Sequence, residues 1–175
     1  MQGGLGDALR AWHDFYLLIG TASGTLIGLL FVAASVGTSY FTAEHEAALK
    51  AFLTPTVLHF TAVLTSCLVA TAPSHTPMSL GVLMATEGVL GVGYAAWLWL
   101  HMRRRGFAST IDLADRGWYV FAPFLAYLLM VAAGVDLARG ITPALDLLAA
   151  TLVLLLLIGI RNAWDMTVWI VIRSK

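Results

Sequence analysis

The chain has 175 residues, 59% of them hydrophobic and 11% charged, with a mean hydropathy of +0.84. Soluble domains carry roughly 25% charged residues, so this composition excludes a water-soluble globule and reads as a membrane protein. Ten basic residues balance ten acidic ones, which leaves no net field to draw in nucleic acid or an acidic substrate.

A membrane-crossing helix needs roughly 20 mainly apolar residues to span about 30 Å of hydrocarbon, and five stretches meet that need. Backbone groups in lipid must be satisfied within their own segment, and the apolar runs lack the alternation of barrel strands, so the segments are read as helices. The expected fold is all-α: a polytopic transmembrane bundle of about five helices forming a single domain over residues 1–175, with no internal repeat. The opening MQGGLGDALRAWHDFY has no basic region ahead of a short apolar core, so the first helix is expected to be retained rather than removed as a signal peptide.

The first helix is expected from about Phe15 to Tyr40. Its GTASGTLIG stretch places Gly20, Gly24 and Gly28 on one face, a spacing that lets backbones approach closely. Two readings stay open: contact with another helix of the same chain, or a subunit interface. His13 and Asp14 stand at the mouth of this helix. Asp14 is read as an outer cap at the positive helix end, with a carboxylate steadying a metal-ligating imidazole as the alternative.

The second helix, from about Ala51 to Ala72, gathers Pro55, His59, Ala62 and Ser66 on one face. Cys67, the single cysteine, is read as a small packing residue. After the turn-like segment from Pro73 to Pro77, the third helix runs from Met78 to about Leu100 and carries Glu87 near its middle. An acidic side chain at that depth costs roughly 2.5 to 3.5 kcal/mol on insertion scales, so Glu87 is expected to face protein, water or a partner. Gly91, Tyr94 and His101 follow on approximately the same face. In an antiparallel arrangement His59 comes to a depth near Glu87, which allows a Glu-His pair, as a structural hydrogen bond, as a gating, proton-coupled or ion-lining element, or as metal ligands. Tyr127, in a fourth helix from Trp118 to about Val135, is the candidate third member.

The connection HMRRRGFASTIDLADRGW carries Arg103, Arg104, Arg105 and Arg116, which marks it as a cytoplasmic loop. That choice puts the N-terminus outside and the C-terminus in the cytoplasm, and suits a bacterial inner membrane. The fifth helix starts at about Pro143 and ends somewhere between Ile160 and Ile172. If it leaves the membrane near Ile160, Arg161 snorkels to the surface and Trp164 and Trp169 lie at headgroup level. If it continues to Ile172, it is about 45 Å long, and Arg161, Asn162 and Asp165 must be buried in protein or line water.

HExxH, CxxC, GxSxG and phosphate-loop motifs are absent, and the five histidines offer no clean pair at matching depth for haem. No cofactor is therefore expected, with His13 and Asp14 the weakest of metal candidates. WHDFYLLIGTASGTLIGLLFVAASV and IRNAWDMTVWIV resemble the opening and closing segments of a family of small, uncharacterised bacterial polytopic inner-membrane proteins. The resemblance covers about a third of the chain and implies no activity. It points to His13, Asp14, Arg161, Asn162 and Asp165 as residues to test first.

The leading expectation is a homo-oligomeric membrane channel or permeation protein. In it the Gly20, Gly24 and Gly28 face packs subunits, and Glu87, His59, Tyr94, Tyr127, Arg161, Asn162 and Asp165 line or gate a path. The alternative is an accessory or scaffold subunit contacting another membrane protein. A metal-, quinone- or haem-binding membrane enzyme is the third.

Overall fold

The structure, a computed structural model, describes residues 4–37, 43–104 and 117–173. These residues form five helices and, among them, no strand: α1 (Leu5–Gly37), α2 (Ala43–Thr71), α3 (Pro77–Arg104), α4 (Ala122–Ala138) and α5 (Ala144–Arg173), with a π-helical turn at Gly117–Phe121 leading into α4. Each is long and apolar enough to cross a membrane, with spans of Leu5–Ser35, Leu53–Thr71, Pro77–His101, Gly117–Ala138 and Ala144–Val168.

Two expected helix starts are corrected, and one is that of α2, which begins at Ala43, eight residues before the expected Ala51. The first helix begins at Leu5, ten residues before the expected Phe15, because LGDALRAWHD continues the helix with an Asp7-Arg10 ion pair in its first turns. His13 and Asp14 therefore lie well inside α1 rather than at its cap. The fifth helix runs unbroken through Arg161, Asn162 and Asp165 to Arg173, the longer of the two registers. Helix propensity explains this, since Arg, Ala, Asp and Met contain no breaker, and a continuous backbone ladder avoids exposing carbonyls.

The turns have legible causes. Thr76 caps α3: its Oγ1 accepts from the Ser79 backbone N–H at 3.1 Å, and Ser79 Oγ accepts from the Thr76 N–H at 2.9 Å. This is a reciprocal capping box with Pro77 at the first helical position, where a missing N–H costs nothing. At the far end of α4, Gly140 takes φ +80°. Its N–H bonds the Leu137 carbonyl at 2.9 Å while the Ile141 N–H bonds that of Asp136 at 3.0 Å, a Schellman turn that needs a residue free of Cβ strain.

Hydroxyls that face outward are satisfied inside their own helices. Thr21, Thr25, Ser35, Thr86 and Thr167 each donate to the carbonyl four residues earlier, at 2.7 to 2.9 Å. They present lipid with a methyl or methylene rather than a free donor. Leu17, Leu18, Leu29, Phe31, Val89, Leu90 and Leu157 are exposed, as a lipid-facing surface demands.

The helices alternate in direction. A shallow hollow lined by Leu5, Pro77, Leu137 and Ile141 shows that the starts of α1 and α3 and the close of α4 share one end. The closest pair is α3 with α4, while α5 packs on both α2 and α4, and α1 lies mainly on α2. Although a short turn joins them, α2 and α3 share few contacts.

Glycine decides the α3-α4 pairing. A Cβ on Gly88 would come within 2.8 Å of the Val131 backbone N, one on Gly81 within 2.7 Å of Ala138 Cα, and one on Gly134 within 2.7 Å of the Gly81 carbonyl. Here backbone meets backbone. The α1 glycines behave differently. A Cβ on Gly20 would lie 3.0 Å from the Cβ of Cys67 on α2, one on Gly24 would lie 3.9 Å from Leu64 Cδ1, and one on Gly28 would meet only open space. Gly20 and Gly24 thus make contacts within the chain, and the tightest small-residue seam is one the GTASGTLIG motif did not mark.

Candidate functional site

The face of α2 expected to be polar is buried: Pro55, His59, Ala62 and Ser66 all point into the bundle. What α2 meets there differs from expectation. Glu87 does not pair with His59. It bonds the hydroxyls of Thr65 and Ser66 instead, the latter at 2.8 Å. Counting from the shared turn puts Glu87 about 15 Å and His59 about 18 Å along their helices, whereas Ser66 lies only about 8 Å along α2. The helices are therefore staggered, and the stagger leaves Glu87 short of His59.

Thr65 carries one proton and has several claimants. Its Oγ1 lies 2.9 Å from the Thr61 carbonyl, 3.1 Å from that of Ala62, and also in contact with Glu87. A carbonyl can only accept, so Thr65 either donates to Glu87 and leaves its own helix, or donates to Thr61 and accepts from a protonated Glu87. The hydroxyl can change allegiance with the carboxyl's proton.

His59 is held by Tyr127. Nδ1 lies 3.0 Å from the Tyr127 hydroxyl, with the rings 5.7 Å apart. Tyr127 can sit there because Gly91 leaves room, its missing Cβ standing under the Tyr127 ring. Gly91 is one turn beyond Glu87 on α3, so the His59–Tyr127 pair lies about 6 to 9 Å deeper than Glu87. The other imidazole nitrogen, Nε2, is buried and has no hydrogen-bond partner.

Asn162 of α5 is 1% exposed, and both its Nδ2 and Oδ1 lack a partner. Phe60, beside His59, packs its ring onto Gly159, three residues before Asn162. That contact sets the register of α2 on α5 and puts Asn162 within about 3 Å of the depth of His59. When Tyr127 donates to Nδ1, Nε2 carries the imidazole proton, so an unpartnered donor and an unpartnered amide share the core at nearly one level.

Past Asn162 comes the ion pair of Arg161 and Asp165, with Arg161 Nε at 3.1 Å from Oδ2 and 3.3 Å from Oδ1. The guanidinium also stands 5.6 Å from the centre of the Trp118 ring, a favourable cation-π distance. Tyr94 does not join the site. It stacks on Trp97 at 6.0 Å, and Trp97 stacks on His101 at 5.3 Å, so the expected stripe from Glu87 to His101 divides after Gly91. His13 and Asp14 are both exposed. Among the described residues no three His, Cys, Asp or Glu side chains gather to hold a metal.

No protein-family model matches the chain, nor does any curated protein or solved structure. Sequence reasoning missed Thr65, whose pairing depends on the stagger, and Trp118, whose partner comes from another helix. Adjacent hydroxyls at Thr65 and Ser66, mid-helix in an apolar run, were the available signal.

Proposed function

We propose that this chain is a membrane permeation protein that moves protons through its own helical bundle, in a bacterial inner membrane with the arginine-rich end in the cytoplasm. The carrying observation is the sequence of polar stations along the bundle axis: Glu87 with Thr65 and Ser66, then Tyr127 with His59, then Asn162, then Arg161 with Asp165. Ionisable groups are costly at these depths and mark pathways when they occur in series. A proton also needs no ion-sized passage, which suits a closely packed core.

In this reading Glu87 takes up the proton while Thr65 turns its hydroxyl back to Thr61. The imidazole and phenol of His59 and Tyr127 relay it by exchanging donor and acceptor roles, and Asn162 orients the next acceptor. Arg161 and Asp165 form the polar exit. The path runs inside one subunit rather than along a symmetry axis. Assembly of several copies stays part of the proposal, supported by α1, the least covered of the five spans, whose Gly28 side lies open.

Purified protein in liposomes loaded with a pH-sensitive dye tests this directly. Wild type should dissipate an imposed proton gradient under a potassium diffusion potential, and Glu87→Gln, which preserves shape and hydrogen-bonding capacity, should slow it at least tenfold. Wild-type liposomes no leakier than empty ones, or a Glu87→Gln variant as fast as wild type, would sink the reading.

A second reading, an accessory subunit for another membrane protein, is favoured by the outward Leu17, Leu18, Phe31 and Val32 of α1. Extraction in a mild detergent followed by native mass spectrometry should then recover a hetero-complex, and recovery of this chain alone removes that reading.

A further inference from the structure

The end of the bundle that holds Arg161 also carries an aromatic floor. Trp99 of α3 packs against Phe121 of the π turn with ring centres 5.6 Å apart, and Trp118 belongs to the same turn. Two guanidinium groups rest on this floor, Arg103 at 5.8 Å from Trp99 and Arg161 at 5.6 Å from Trp118. Arg161 meets Asp165 through Nε. Among the described residues Arg103 has no carboxylate partner. Arg103 and Arg104 are exposed.

Directly inward from these cations the surface turns apolar. Leu100 on α3, with Phe121 and Leu125 one turn apart towards the bundle's middle, are each more than half exposed. A paired cationic edge above an apolar strip has the polarity of a phospholipid: phosphate at the guanidinium groups, acyl chains along the helices. The strip is what favours lipid over free phosphate, which would leave it unused. Guanidinium groups held over indole rings can offer N–H donors to phosphate oxygens.

We propose that Arg103 and Arg161, on the Trp99–Phe121–Trp118 floor, form a binding site for an anionic phospholipid whose acyl chains lie over Leu100, Phe121 and Leu125. The site shares Arg161 with the proposed proton exit, but lipid retention does not require proton movement and stands if that fails.

Native mass spectrometry of the full chain in detergent, titrated with phosphatidylglycerol or phosphatidylcholine, tests it. Wild type should retain phosphatidylglycerol adducts well above phosphatidylcholine. Arg103→Gln, an exposed change that leaves the bundle intact, should lower that retention about fivefold, the weight of one basic residue near an anionic surface. Trp118→Leu should lower it too while keeping both charges. Equal retention of the two lipids overturns the proposal. So does unchanged retention in Arg103→Gln, or displacement of the lipid by millimolar inorganic phosphate, which would make this a phosphate site only.

Discussion

Asn162→Leu is the most discriminating substitution the structure offers. The side chain is 1% exposed and neither of its polar atoms has a partner, and each such group costs about 1 to 3 kcal/mol when buried. Leucine is close in volume, so it removes two costs without opening a cavity or overfilling the site. The lower bound is a gain of about 2 kcal/mol, corresponding to an upward shift of about 4 to 8 °C for a chain of this size. Thermal unfolding in detergent, followed by far-UV circular dichroism, reads that shift. The liposome assay should show the opposite sign, with proton flux reduced at least tenfold, because apolar leucine interrupts the series between His59 and Arg161. A polar group kept at a cost to stability is the expected signature of function. Loss of stability would mean that the amide has partners in the membrane, and undiminished flux would remove Asn162 from the path.

Other outcomes follow from the same packing. Gly134→Ala should lose about 1 to 3 kcal/mol, since its Cβ would press on the Gly81 carbonyl and on Ala85 where neither backbone can yield. Gly28→Ala, in open space, should change stability by less than about 0.5 kcal/mol. Chemical unfolding in mixed micelles separates the two. Tyr127→Phe deletes the His59 Nδ1 partner and leaves a buried ring nitrogen alone, at a cost of about 1 to 3 kcal/mol, measured in the same titration. Thr76→Ala removes the cap of α3 and should cost about 1 kcal/mol, with hydrogen exchange rising at the amides of Met78 and Ser79 and not at Glu87.

Resistance of the core to sequence reading has a specific form. His59, Tyr127 and Glu87 were recognisable as costly residues one at a time, and Tyr127, the expected third member of a Glu87–His59 pair, meets His59 while Glu87 goes elsewhere. Their partnership was assigned by depth alone, which assumes that neighbouring helices start level. The α2-α3 stagger breaks that assumption by about a turn and a half, so Thr65 and Ser66 take Glu87, and His59 is left to Tyr127. Likewise Gly20, Gly24 and Gly28 met the spacing rule, yet the rule describes one helix, whereas close approach requires a facing partner with equally little side chain. Gly134 supplies that partner for Gly81.

The sequence by itself determined that the chain crosses a membrane, how many times, and which residues are too polar to face lipid, because length and hydropathy act locally and every backbone group must be satisfied within its own helix. It also determined the turns, since a Thr-Pro start and a left-handed Gly140 are local demands. Tertiary structure alone decided who meets whom. Rotation and stagger are set by summed contacts along whole helix faces, α3 on α4 and α2 on α5, so a shift of a few ångströms exchanges one partner for another without changing any helix. The fate of Arg161, Asn162 and Asp165 belongs to both classes. Their sequence holds no helix breaker and so carries α5 through to Arg173, whereas packing decided that Asn162 is buried and that Arg161 meets Trp118.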